Sequence, residues 1–478
     1  MTPSQRNPED RPIATLLAPD IIAMLEESPG DLAADTEEIH PADLAEVAEL
    51  LERGQLQAFL NALGSSRAAD VLQYLDTELK TEFLESVSPS QAAALVTEMT
   101  PDDRADTLEE IDEDRVEEIL SEIPSEQRRE TQQLLAYDPA SAGGLMTTEF
   151  VSVAGEMVVE AALENVRTVA RSGRKEAMYA IYTTDEQGRV AGVLSLRELL
   201  AAPSGAKISD IAWSEVVSVS PGADREEVSR VIANYDLVAV PVVSESGHMM
   251  GVITVDDVID AIQEEQTEDV QKFGGLEALD EPYTQIGFWA MIKKRGGWLA
   301  ILFVGEMLTT WATGSYADEL QRMVILSLLM PLIISSGGNS GSQATSLIIR
   351  AMALNEIGLR DWFRVAMREL PAGLTLGTAL GALGFTRIAL WHAIGFGDKV
   401  GCEHYLLVGT VIWISVIGVV TFGTLAGSML PFLLRRFRLD PASASAPFVA
   451  TLVDVSGLVI YFKVASFVLD GVTLCKPT

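Results

Sequence analysis

An aspartate in the middle of an apolar stretch is the residue whose type and setting most demand a chemical explanation. Asp454 stands in PFVATLVDVSGLVIYF, a segment otherwise apolar enough to cross a hydrocarbon core. A carboxylate there is costly, and it marks either an ion path or a buried pair. Lys463 is the other charge of this span before Asp470. At about 100° per residue it falls on the opposite helix face, roughly 13 Å along the axis, so pairing within the helix is excluded. The alternatives are an ion path, the reading preferred here, or a pair with the helix of Glu306 or of Arg387. A second segment, MPLIISSGGNSGSQATSLIIR, is interrupted by Gly337, Gly338, Asn339, Gly341 and Gln343. Glycines let helices approach closely, and two amides four residues apart share one face. Tight packing and pore lining both fit that pattern.

Charge separates the chain into two parts. Before Gly287 there are 58 Asp and Glu against 19 Lys and Arg; after it, 11 against 15. So acidic a surface repels nucleic acid and anionic lipid and suits cations, or else serves solubility. Glu264, Glu265, Glu268 and Asp269 crowd two turns of AIQEEQTEDVQKF, a helix that repels itself unless a cation neutralises it. Two cysteines, Cys402 and Cys475, give no disulfide framework or thiolate site. Residues 1–20 lack a signal-peptide core, so a cytoplasmic amino terminus is expected. No P-loop, nucleophile triad or zinc spacing accompanies the carboxylates, so an enzyme is not expected.

The elements that must position these residues fall into distinct regions. After an amino-terminal extension, residues 1–39, to which no role is assigned, residues 40–138 repeat short amphipathic helices such as SPSQAAALVTEM and TPDDRADTLEEI, predicting an all-α superhelical stack. Residues 139–262 carry a doubled β-α-β-β-α unit: FVSV at 150–153 is echoed by VVSV at 216–219, and GRVAGVLSLREL by GHMMGVITVDDV. Ser195 and Thr254 are suited to cap the helices that follow. A connecting helix occupies 263–292. Residues 293–478 contain five candidate spans, near 296–313, 323–349, 370–390, 405–434 and 442–469. Basic clusters at Lys293–Arg295, Arg350–Arg368 and Arg435–Arg438 place the amino terminus inside and the carboxyl terminus outside a cell membrane.

The doubled unit resembles a tandem CBS pair. Such pairs often hold adenine nucleotides, which makes Arg197 and Glu198 candidates for contacting ATP. In combination, the acidic helical region, LMTTEFVSV, the acidic connector, GGNSGSQATSLIIRA and PFVATLVDVSGLVIYF resemble the MgtE family of magnesium channels from about Pro41 to Leu469. The resemblance implies a homodimeric Mg2+ channel with a plug-like connecting helix and a pore lined by the second and fifth spans. Asp454 matches the central ion-binding residue, and the Ala450 backbone faces the same hydrated ion. It also implies an intracellular Mg2+ sensor built from Asp102, Asp106, Asp224, Glu226, Asp236, Asp257, Asp260, Glu265, Glu268, Asp269 and Asp440, which closes the pore as cytoplasmic Mg2+ rises. Mg2+ keeps its waters, so one Asp454 per subunit, doubled by a twofold axis, suits it better than a dense cage. One departure stands out: Ala446 replaces the Asn that precedes the proline in other members. The rivals are a transporter coupled to Na+ or H+, using Asp454 and Glu306, and a receptor that transports nothing.

Overall fold

The computed structural model describes residues 12–171, 180–279, 283, 286–317, 324–394 and 405–469. Cys402, Cys475 and the first eleven residues lie outside them. The chain divides into two compact units, Met1–Glu265 and Gln266–Thr478.

The first unit opens with α1 (Pro12–Glu27), α2 (Leu32–Asp35), α3 (Pro41–Ala48), α4 (Arg53–Leu63), α5 (Ser65–Leu72), α6 (Thr77–Ser86), α7 (Pro89–Glu98), α8 (Pro101–Glu109), α9 (Glu113–Glu122) and α10 (Ser125–Leu134). Their starts follow from sequence. Proline occupies an early position of α3, α7 and α8, where its missing N–H costs nothing. His40 accepts from Ala42 N, and Ser88 with Gln91 closes a capping box. Because each helix is too short to stand alone, stability comes from the shared apolar face, which buries Leu44, Phe59, Leu72, Leu84, Val96, Leu108 and Ile119 in one cluster. Ala14, Ala18 and Ile21 of α1 join it, so part of the amino-terminal extension belongs to this core.

The doubled unit follows. Strand β1 (Val151–Ala154) pairs in parallel with β2 (Ile181–Thr184), which pairs antiparallel with β3 (Val190–Leu194). In the second copy, β4 (Ala239–Val243) pairs antiparallel with β5 (Met249–Thr254). The echo of β1 is reduced to one parallel bridge, Val219 with Val242. Val219 N donates to Pro241 O and Val243 N to Val219 O, but Pro241 has no N–H to continue the ladder. The helices here are α11 (Val159–Arg171), α12 (Leu196–Ala201), α13 (Ile208–Ile211), α14 (Arg225–Tyr235) and α15 (Val255–Phe273). The unit boundary falls within α15, which thus carries the chain from the first unit into the second.

Among the described residues, the second unit has five long helices: α16 (Phe288–Ser315), α17 (Val324–Ala353), α18 (Trp362–Ala393), α19 (Tyr405–Arg436) and α20 (Ala446–Val468). Among the described residues, three helices are long and apolar enough to cross a membrane: Leu359–Ala393, Tyr405–Arg436 and Ala446–Val468. The first two long helices are more polar, α16 through Lys293–Arg295 and Glu306, α17 through its Ser, Gly, Asn and Gln run. Small residues set the packing. A Cβ on Gly373 or Gly377 of α18 would strike the backbone of Thr421 or Ile417 on α19 at 2.8 and 2.7 Å, so these helices touch at backbone distance.

Candidate carboxylate cluster and ion path

The first candidate site lies in the first unit, where α8 is seated on the second β-α-β-β-α copy. Ala105 is buried in the same cluster as Val219, Val240 and Ile253. Arg104, itself buried, donates to Val96 O at 2.9 Å, Met99 O at 3.1 Å and Thr131 Oγ1 at 3.3 Å, fixing α8 against its neighbours. The seat places Asp102 and Asp106, one turn apart on α8, beside Asp257 in the first turn of α15. Asp257 is positioned locally: its Oδ2 accepts from Thr254 Oγ1 at 2.6 Å, so the residue that begins the helix also orients the carboxylate. Gly251 permits the strand pairing nearby, since a Cβ there would meet Thr147 O at 2.5 Å.

Asp102 is buried, and its Oδ1 has no hydrogen-bond partner. Burial, then the Asp103 charge, pushes its pKa up to about 6, against weaker opposing bonds from Thr100 and Thr147. Burial and the Asp102 charge raise Asp257 to about 7. Asp106, exposed at its edge, is shifted upward by desolvation and by Asp102, Asp103 and Asp257. A buried orphan oxygen amid like charges is what a cation would relieve. Among the described residues, no three His, Cys, Asp or Glu side chains converge to ligate an ion directly.

The remaining acidic candidates are spread more widely. Asp224 caps α14, accepting from Glu226 N at 2.8 Å, whereas Asp236 ends the same helix in a left-handed conformation, roughly 16 Å away along an 11-residue axis. One ion within one chain cannot meet both ends. Asp260 is exposed on α15. The self-repulsion expected for α15 is largely answered by the protein's own bases. Arg225 pairs with Glu264 at 2.8 Å and with Glu265, while Lys272 pairs with Glu268 at 2.5 Å and Asp440 at 2.7 Å. Reading α15 alone missed Arg225, which lies 39 residues upstream of Glu264. Burial would depress Lys272, but its bonds to Asp440 and Glu268 outweigh this and hold its pKa above the ordinary lysine value. Asp269 also has an interaction partner. In the first copy, Glu198 accepts from Ser195 N and from Trp213 Nε1, each at 2.8 Å, which occupies its carboxylate; Arg197 is exposed.

The second candidate site is in the second unit. Gly337 and Gly341 are packing residues: a Cβ on either would lie 2.8 Å from Val453 or Val449 of α20, and Gly341 also abuts Gly423 O. Ser340 bonds Thr424 at 2.7 Å, and Thr345 donates to Gly427 O at 2.9 Å, so α17 is locked to α19. Gly338 faces Ala450, and Ser342 donates to the Ala446 carbonyl at 3.3 Å. That antiparallel register sets Asp454 level with Ile334 and Ser335. Ser335, Asn339 and Gln343 are exposed on α17, a polar stripe uncovered by the chain's own helices, and Asp454 is half-buried. Gly305 packs on Thr451, bringing Glu306 of α16 close enough to act on Asp454. The neighbour is therefore a second carboxylate and not a compensating base.

Comparison with known proteins identifies the regions that carry the two candidate sites. Residues 330–464 match the divalent cation transporter family MgtE, residues 39–140 the MgtE intracellular N domain, and residues 142–205 and 208–264 the CBS domain. The magnesium transporter MgtE of Thermus thermophilus is 40% identical over 341 residues, 71% of this chain and 73% of that protein. Its namesake from Enterococcus faecalis is 32% identical over 70% of each. The crystal structure of the soluble part of a magnesium transporter, 30% identical, superposes with a TM-score of 0.50 over 53% of this chain and 99% of that one. The helices and matched domains define a membrane transport protein with acidic helical and CBS regions preceding its transport domain. The chain belongs to the MgtE family of magnesium transporters.

Proposed function

We propose that this chain is a Mg2+ channel that admits the ion down its electrochemical gradient and closes when cytoplasmic Mg2+ occupies the carboxylate cluster. The observation that carries the conduction reading is the uncovered polar stripe of Ser335, Asn339 and Gln343, whose Ser335 end is level with Asp454, in a helix packed among apolar spans. Polar groups at membrane depth need water or a partner, and a twofold copy of the stripe would enclose a hydrated path. Few carboxylates suit an ion that must leave again. Five crossings are supported by packing direction: α16 and α20 run parallel, as Gly305 with Thr451 and Tyr316 stacked on Phe462 indicate, while α17 and α19 run opposite to α20 and α18. With the basic clusters inside, the amino terminus lies in the cytoplasm and the carboxyl terminus outside.

Closure is assigned to Asp102, Asp106 and Asp257, aided by Asp224, Glu226, Asp236, Asp260, Glu265, Glu268 and Asp269. Mg2+ there stabilises the seat of α8 on the second CBS copy and holds the start of α15. The far end of α15 is bonded through Lys272 to Asp440, immediately before α20, so the helix is the element that transmits the change. An adenine nucleotide at the CBS pair is a further proposal carried by the CBS match. A coupled exchanger is favoured by one feature, the Glu306 carboxylate beside Asp454, a pair able to share a proton. The test is Mg2+ uptake into liposomes with and without opposing Na+ or H+ gradients, with Asp454→Ala as control. Uptake that follows voltage and is lost in the variant supports the channel, whereas uptake that requires the opposing gradient supports the exchanger.

A further inference from the structure

A cleft of about 570 Å3 opens beside the first turns of α16. Lys294, Gly297, Trp298 and Ile301 line it at helical spacing, together with Glu277 from the segment after α15 and with Lys272 and Glu268. The segment is fastened to α16: Lys294 Nζ donates to Ala278 O at 2.6 Å, and Glu277 N donates to Lys294 O at 3.2 Å. Trp298 is held by Ser445 Oγ at 3.2 Å. Ammonium and carboxylate groups thus share one opening. Beyond Ile301 the same face continues with Val304 and Leu308, all three more than half exposed. The mouth is open at Gly297, where an added Cβ meets nothing within 4 Å.

A headgroup site that continues into an apolar strip, at the point where basic residues and a tryptophan give way to an apolar helix, is built for a lipid. The geometry points to a bilayer aminophospholipid, its phosphate on the Lys294 side, its primary ammonium on Glu277, and an acyl chain along Ile301, Val304 and Leu308. Both headgroup charges are needed to match both wall charges. Choline has no N–H to donate to Glu277, and a glycerol headgroup brings a phosphate with no cation for Glu277. The inference rests on α16 lying in the membrane and is independent of whether transport is channel-like.

The full chain, reconstituted separately in vesicles of phosphatidylethanolamine, phosphatidylcholine or phosphatidylglycerol doped with the matching photoreactive-acyl lipid, is irradiated and mapped by mass spectrometry. Label on the peptide containing Trp298 and Ile301 is expected to be about tenfold higher for ethanolamine than for choline, the ratio that one charge-assisted hydrogen bond supplies. Gly297→Phe fills the mouth and should remove that excess; Glu277→Gln should remove it while leaving choline label unchanged. Gly297→Ala, with an unaltered elution profile, controls for folding. Equal label from all three lipids, or cross-links joining Trp298 to a second copy, would overturn the site. No label on α16 from any lipid would instead overturn its placement in the membrane.

Discussion

The carboxylate cluster around Asp102 and the surroundings of Asp454, both assigned to Mg2+ in the proposed function, are built in opposite ways. In the first, three aspartates from two elements are buried together, so that desolvation and then their mutual repulsion raise their pKa values, and an orphan oxygen is left buried. In the second, one half-buried aspartate with one neighbouring glutamate lies level with Ser335, on a helix packed against Gly337 and Gly341. Crowding makes an arrangement whose free energy depends strongly on whether a cation is present, which suits a sensor. Sparse charge makes a path from which an ion can depart. The difference lies in packing as much as in residue type, since Arg104 forces the crowding whereas Gly337 and Gly341 give backbone contact without charge.

The largest way to break this contrast is Asp454→Ala. Mg2+ flux should fall to background while the chain still elutes as the wild-type species; residual wild-type flux would remove Asp454 from the path. Next is Gly341→Leu, which forces a side chain against Val449 and the Gly423 carbonyl. We expect a destabilisation of about 1–3 kcal/mol or more, read as a lower melting temperature in detergent.

The cluster predicts a pH dependence whose sign is fixed. Raised carboxyl pKa values mean that the folded unit holds protons the unfolded chain releases, so stability falls as pH rises from near 3.8 to about 7 and the cost is complete above that. In metal-free buffer the melting temperature should therefore drop between pH 5 and 7.5. Mg2+ should restore it most at the alkaline end, and Asp102→Asn with Asp257→Asn should flatten the slope and weaken closure. At roughly 1.4 kcal/mol per pKa unit, the pair accounts for several kcal/mol. The smallest expected effect is that of Lys272→Gln, which unpairs Asp440 and Glu268. Single-channel open probability should shift at a given Mg2+ concentration without change in conductance.

Much of this was legible in the sequence because helix starts are local. Pro101 and Ser88 announce their helices, and Asp454 declares itself by its apolar surroundings. The doubled unit was visible in its repeats, but the failure of the first strand of the second copy depends on one missing N–H at Pro241, a non-local pairing. The polar and glycine positions of α17 were found, yet their division into packed Gly337 and Gly341 and exposed Asn339 and Gln343 required the neighbouring helices. The pairs of Arg225 with Glu264 and of Lys272 with Asp440 leave no periodic trace because the partners are distant in sequence, and the carbonyls that Arg104 holds carry no signal in residue type. A basic residue in a strongly acidic region was the available signal.

The most direct test of the central claim is Mg2+ current through the reconstituted chain at fixed voltage while Mg2+ on the sensor side is raised through the millimolar range. The account predicts a fall in open probability that is lost in Asp102→Asn with Asp257→Asn, with unitary current unchanged. Identical Mg2+ inhibition in wild type and variant would contradict it.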